Sequence, residues 1–179
     1  MKEMKKTLTV LLASIMVFLS ISASVNANGF DDKLDSEREG ELQLPVSARK
    51  DGDLTWNIDN LGHLTISGNG DYLNADWKEY HSLITSVEVH VSGITNAGYM
   101  FDNLDQATVI DVSDLDTSSV SDMCHMFYHC EKVQELDLDG FQTSKVTDMR
   151  QMFEGCSSLQ SLSLAGFDTK NVEDRKSVV

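Results

Sequence analysis

Two short runs alternate apolar and polar residues near the middle of the chain. They are Leu54-Thr55-Trp56-Asn57-Ile58 and His63-Leu64-Thr65-Ile66-Ser67, separated by Asp59-Asn60-Leu61-Gly62. A period of two on either side of an Asp/Asn/Gly turn predicts a β-hairpin. Gly68-Asn69-Gly70 closes it, and Trp77 to about Leu83 reads as a short helix. Beyond this the pattern repeats at long range. Ile110–Cys130 aligns without gaps to Leu136–Cys156 at an offset of 26 residues, matching Asp111/Asp137, Thr117/Thr143, Val120/Val146, Asp122/Asp148, Met123/Met149, Met126/Met152, Phe127/Phe153 and Cys130/Cys156. A third copy starts at Leu159, Leu162, Leu164 and Phe167. A degenerate first copy spans roughly 83–106, where Ile94 and Met100-Phe101 fall 26 residues before Val120 and Met126-Phe127. Self-similarity at one fixed period is the signature of a solenoid, in which each copy buries its apolar face only against its neighbours.

Within a copy, Leu136-x-Leu138 and Leu162-x-Leu164 read as short strands. Gly140 or Gly166 lets the chain turn, and Phe141 or Phe167 plugs that turn. Thr143 and Ser144 are hydroxyl N-cap candidates, Asp148 places a carboxylate in a first helical turn, and Gly155 is a C-cap candidate. Met149, Met152 and Phe153 at i, i+3 and i+4 predict one inward helical face. The string Cys156-x-x-Leu159-x-x-Leu162-x-Leu164-x-x-Phe167 matches the leucine-rich-repeat template. The expected fold class is α/β: a leucine-rich-repeat solenoid, strand plus helix per 26-residue repeat, with a β-hairpin-rich amino-terminal cap.

The amino terminus carries Lys2, Lys5 and Lys6, an apolar run from Leu8 to about Ile21, and the small-residue exit Val25-Asn26-Ala27. That order predicts a secretory signal peptide over 1–27, its apolar run too short for a comfortable membrane span. Residues 28–52 are charged and aperiodic and read as a flexible spacer. The cap is assigned to 53–82 and the repeats to 83–174. Residues 175–179 break the repeat and read as a non-native tail, since Asp-Arg-Lys-Ser-Val-Val is also the translation of a common sequencing-adapter string; on that reading the natural protein continues into further repeats. Net charge is −15 for the 179-residue chain, and cleavage after Ala27 would leave −17. Such a chain repels phosphate backbones and anionic lipid, which disfavours nucleic acid and membrane as partners of the mature chain and favours a monomer. Three Cys, an odd number, argue against a stapling disulfide framework.

The run Phe-x-Thr-Ser-x-Val-Thr-Asp-Met-x-x-Met-Phe-x-Gly-Cys-Ser-Ser-Leu at 141–159 resembles the BspA-type leucine-rich-repeat surface proteins of bacteria. The cap followed by Ile84-Thr85-Ser86-Val87-Glu88-Val89 is similar to the portion that precedes such repeats in that family. The resemblance covers 53–174 and implies an exported, wall-attached protein that binds host, matrix or neighbouring-cell components.

Candidate chemistry is sparse. Met123, Met126, Met149 and Met152 read as core filler. Cys130 and Cys156 should lie one turn apart, near the separation a disulfide needs, yet read better as reduced core residues, whereas Cys124 reads as an outward free thiol. Asp111, Asp114, Asp116, Asp137 and Asp139 lack a calcium-loop pattern and read as a solvated surface. His125 and His129 share zinc-ligand spacing, but their equivalents Gln151 and Gly155 are not ligands. No HExxH, GxSxG or phosphate loop occurs, so neither catalytic residues, cofactor nor metal are expected. The expected function is adhesion or recognition of an extracellular protein or glycan. The surface for it would comprise Asp111, Ser113, Asp137, Asp139, Gln160 and Ser163, which vary between copies while the core repeats. A structural spacer and, further off, a secreted hydrolase are the alternatives.

Overall fold

The structure is a computed structural model that describes residues 44–173. The signal peptide, most of the spacer and the tail lie outside the described residues. Seven strands follow in order: β1 Val46–Asp51, β2 Leu54–Ile58, β3 His63–Asn69, β4 Ser86–Ser92, β5 Val109–Leu115, β6 Glu135–Leu136 and β7 Ser161–Leu162. β2 and β3 form the antiparallel hairpin that the alternation predicts, with Leu54, Trp56, Ile58, Leu64 and Ile66 fully buried. β1 pairs antiparallel with β2, so the end of the charged spacer is a strand rather than a free tether. From β3 onward pairing is parallel, one strand per turn, which makes a β-solenoid of about four turns.

The expected helix in each repeat is absent, and the α/β leucine-rich-repeat architecture is corrected to a β-solenoid. Among the described residues the helical element is the 3-10 helix Asp76–Leu83, which contributes Trp77 and Tyr80 to the core. The segment read as helical is a corner built from two kinds of hydrogen bond. The N–H groups of Met123, His125, Phe127 and His129 donate to the carbonyls of Asp148, Arg150, Met152 and Glu154 one turn on, at 2.7–3.0 Å. Between them, Met126 and Tyr128 donate locally to Met123 and His125. Ala97, Tyr99, Phe101 and Asn103 do the same toward the turn that follows them. Every fourth residue takes a left-handed φ: Tyr99 63°, Asn103 60°, His125 56°, His129 54°, Gln151 53° and Gly155 80°. Tyr99, His125, His129 and Gly155 each occupy the third position of a four-residue turn closed by a backbone hydrogen bond, where a left-handed φ reverses the chain. The Met-x-x-Met-Phe spacing therefore reports successive four-residue turns, and Gly155 occupies the same column as Asn103 and His129 rather than a helix C-cap.

The inward assignments hold even though the helix does not. Met123, Met126, Phe127, Met149 and Met152 are fully buried, and Phe153 nearly so. Phe101, Phe127 and Phe153 stack in a column with ring centroids 5.5 and 5.7 Å apart, and Phe141 stacks on Phe167 at 6.3 Å. Thr143 is not an N-cap, and neither it nor its equivalent Thr117 begins a helix. They are buried, and their Oγ1 atoms accept the N–H of Gln142 at 2.7 Å and of Asp168 at 2.8 Å, tying consecutive turns together. Gly140 has no left-handed φ and open space around it, so its turn does not require glycine.

The period also varies along the solenoid. Corner residues keep 26, as Asn96 bridges Asp122 and Asp122 bridges Asp148. On the strand side Ser86 pairs Val109, a spacing of 23 that rises to 24 at Val91 and Leu115, because β5 bulges where β4 steps from Glu88 to His90. By β6 and β7 the spacing is 26.

Candidate functional site: the strand face

All six predicted surface residues, Asp111, Ser113, Asp137, Asp139, Gln160 and Ser163, are exposed. The inward partners between them, Ile110, Val112, Leu136 and Leu138, are buried, as the pleat of a strand demands. Asp111, Ser113 and Asp137 come together in a depression of about 740 Å³ between β5 and β6, lined also by Thr108, Val109, Ile110, Val112, Gln134 and Glu135. Asp137, Asp139 and Ser163 line a smaller hollow next to it. Gln160 lines neither; its N–H donates to the Gln134 carbonyl at 2.9 Å.

The larger depression coincides with a break in the sheet. β1–β5 form one five-stranded sheet and β6–β7 a separate two-stranded ladder, so no ladder joins β5 to β6. The acidic residues explain why these strands are interrupted. Asp111 Oδ1 accepts the Ser113 N–H at 3.0 Å, and Asp137 Oδ1 accepts the Asp139 N–H at 3.1 Å. Aspartates that bond their own backbone two residues on withdraw those N–H groups from sheet pairing. The same device recurs at Asp116/Ser118, Asp122/Cys124, Asp148/Arg150 and Asp168/Lys170. Much of the acidity read as a solvated surface is thus also turn-making.

The electrostatics follow from these bonds. The Ser113 backbone N–H and then its hydroxyl hold Asp111 below the usual carboxylate range, and Ser118 does the same to Asp116. Both are therefore charged at neutral pH. None of the residues lining the larger depression is basic.

Beside the depression, on β3, β4 and β5, runs a polar chain that sequence reasoning missed. His63 Nδ1 lies 2.8 Å from Ser86 Oγ, and His63 Nε2 lies 3.4 Å from Glu88. His90 bridges Glu88 at 3.3 Å and Asp114 at 3.0 Å. Ser86, Glu88 and His90 sit in the degenerate copy, between His63 of the cap and Asp114 of the next copy, where the strand spacing is 23 to 24 and a search at 26 cannot align them. Glu135 and Val109 were missed as well. Parity was the available signal, since Glu135 and Asp137 flank Leu136 on one strand.

At the corner, ligand atoms of Asp122, Cys124 and Asp148 lie within 4.8 Å of one another. Their groups are already engaged. Both aspartates accept the N–H two residues on, and Arg150 holds Asp148 through Nη2 at 2.6 Å, which keeps that carboxyl below the usual range. Cys124 is buried, not outward as expected, and burial pushes its thiol up to about 12. Cys130 and Cys156 are free thiols whose Sγ atoms donate to the Phe101 and Phe127 carbonyls at 3.2 and 3.1 Å. His125 and His129 do not converge: His125 stacks on Tyr99 at 4.6 Å, and His129 contacts Glu131 at 3.3 Å.

The family model described as "Mycoplasma protein of unknown function, DUF285" matches residues 74–179. The chain belongs to that family. The DUF285 match takes in the 3-10 helix and every parallel turn from β4 to β7, and leaves the β1–β3 strands outside it. Membership of the DUF285 family fits a bacterial surface protein and does not single out the BspA type. No curated protein and no solved structure matches the chain. Among the described residues no helix is long and apolar enough to cross a membrane.

Proposed function

We propose that this is an exported bacterial surface protein whose strand face acts as an adhesion or recognition platform for an extracellular protein or glycan. The observation that carries the reading is the convergence of Asp111, Ser113 and Asp137 on one open depression of the solvent-facing sheet. The repeat supports it: core columns such as Met100/Met126/Met152 are constant, while outward rungs around the matched Asp111/Asp137 pair change, as at Val109/Glu135/Ser161 and Ser113/Asp139. The likeness of 141–159 to BspA-type surface proteins and the predicted signal peptide favour the same class over a passive spacer. Binding rather than catalysis fits side chains that are exposed and committed to turns. The mature chain acts as a monomer without cofactor or metal in this reading.

The test has two arms. Protease shaving of intact source cells should release peptides of 53–173. Panels of matrix proteins and glycans should retain the wild-type protein and lose a variant carrying Ser113→Ala, Asp137→Asn and Ser163→Ala. Protein confined to the cytoplasm, or equal retention of variant and wild type, refutes the reading.

A further inference from the structure

We infer that the depression between β5 and β6 is a docking groove for an extended basic polypeptide segment, one that alternates cationic and small apolar side chains. The inference rests on the recognition reading above and names the chemistry of the partner. Three features of the site carry it.

The groove lies where the sheet is interrupted, with the β5 edge on one side and the β6 edge on the other and no ladder between them. β5 and β6 approach within 8 Å there, so a bound segment lies across their outward side chains and does not enter between them as a strand. Residues 108–113 line one side of it, which at the rise of a strand is a length of about 20 Å. That length suits a segment, not a small molecule.

The charge of the lining is one-sided. Asp111, Glu135 and Asp137 line the groove with no cation among the lining residues. Carboxylates so placed select Lys or Arg, whose heads pair with them.

The third feature is apolar. Val109 lines the groove and is 56% exposed, one of three large hydrophobic residues exposed to at least that degree among the described residues. An apolar side chain beside acidic ones matches a Lys or Arg that lays its methylenes on a hydrophobic surface and holds its charge beyond it. It also offers the intervening apolar residue of an alternating segment a contact.

The experiment uses the whole secreted chain, isotope-labelled, and blocked octapeptides of alternating Lys–Val, Glu–Val and Ser–Val, with a heparin-type oligosaccharide and a neutral glycan as further probes. Lys–Val should shift the amides of 108–113 and 134–137. The variant D111N/E135Q/D137N should weaken that binding by about tenfold, each lost exposed pair contributing a few-fold. Asn keeps the oxygen that accepts the Ser113 and Asp139 N–H groups, so the turns survive. The control E79Q/E154Q/E173Q, equal in charge change but outside the groove, should weaken it less than about twofold. Equal loss in the two variants would assign the binding to bulk charge and overturn the inference. So would Lys–Val shifts scattered away from β5 and β6, or no binding. If Glu–Val, Ser–Val or a glycan moves the groove amides while Lys–Val does not, the basic partner is wrong and the recognition reading stands. If no probe moves the strand face, both fall.

Discussion

Replacing Phe127 by Ala removes the middle ring of a three-ring column. Phe127 is fully buried, stacked on Phe101 at 5.5 Å and on Phe153 at 5.7 Å. Removing a buried phenyl costs about 2–3 kcal/mol of transfer free energy. Each lost ring pair adds roughly 0.5–1.5 kcal/mol, and the surrounding turns, bonded to one another through the corner, collapse little into the cavity. The expected cost is about 4–5 kcal/mol, near the top of the range for Phe→Ala substitutions. Phe153→Ala loses one stacking contact instead of two from a 4% exposed ring, so its expected cost is lower, about 3–4 kcal/mol. Lys145→Ala, at an exposed position, should change stability by under about 0.5 kcal/mol. Urea titration of all three, followed by circular dichroism and tryptophan fluorescence, measures the ranking. Equal values for Phe127 and Phe153, or either below about 1 kcal/mol, would refute the column as the spine of the solenoid.

Thr117→Val should cost about 1–3 kcal/mol, because the Gln142 N–H loses the Oγ1 acceptor at 2.7 Å; a loss under 0.5 kcal/mol by the same titration would contradict the staple. Gly155→Ala should destabilise by about 1–2 kcal/mol, since φ is +80° and a Cβ would meet the His129 ring at 2.8 Å, whereas Gly140→Ala should be neutral or better. Hydrogen bonds from Ser113, Ser118, Arg150 and Lys170 hold the carboxyls of Asp111, Asp116, Asp148 and Asp168 below the usual carboxylate range, so their contribution to stability is full above that range and is lost as pH falls through their folded values. The urea midpoint should therefore be flat in this respect between pH 5 and 7 and drop below about pH 4; a rise on acidification would contradict the sign. Cys124, with a thiol near 12, and Cys130, pushed up by burial, should resist iodoacetamide in native protein at pH 8 and label on unfolding, as mass spectrometry will show.

The core was largely legible in the sequence because solenoid packing writes itself as columns. Val120/Val146, Met126/Met152 and Phe127/Phe153 recur at 26 residues and all are buried, and the inward reading of Met152 and Phe153 from helical spacing picks the right side chains for the wrong backbone. The hairpin was legible from its period of two. The helix was misread because i, i+3, i+4 spacing is shared by a true helix and by four-residue turns, and the deciding feature is backbone sign. His125, Gln151 and Tyr99 carry no glycine signal for the left-handed φ they adopt. The same blindness placed Cys124 outward by helical register, where the corner covers it beside Asp122 and Asp148. At the strand face, Asp111, Ser113 and Asp137 were legible from alternation, as Glu135 was by parity, while the residues of the His63–Glu88–His90–Asp114 chain were not. Their register depends on a bulge and a shorter period that come from tertiary pairing.

The claim that the 26-residue repeats close through inter-turn bonds, without helices, can be measured directly by NMR scalar couplings across hydrogen bonds. The account predicts couplings from the amides of Ala97, Tyr99, Phe101, Met123, His125 and Phe127 to the carbonyls 25 residues later, Asp122, Cys124, Met126, Asp148, Arg150 and Met152. Couplings from residues 123–130 to carbonyls four residues earlier, with none between turns, would contradict it.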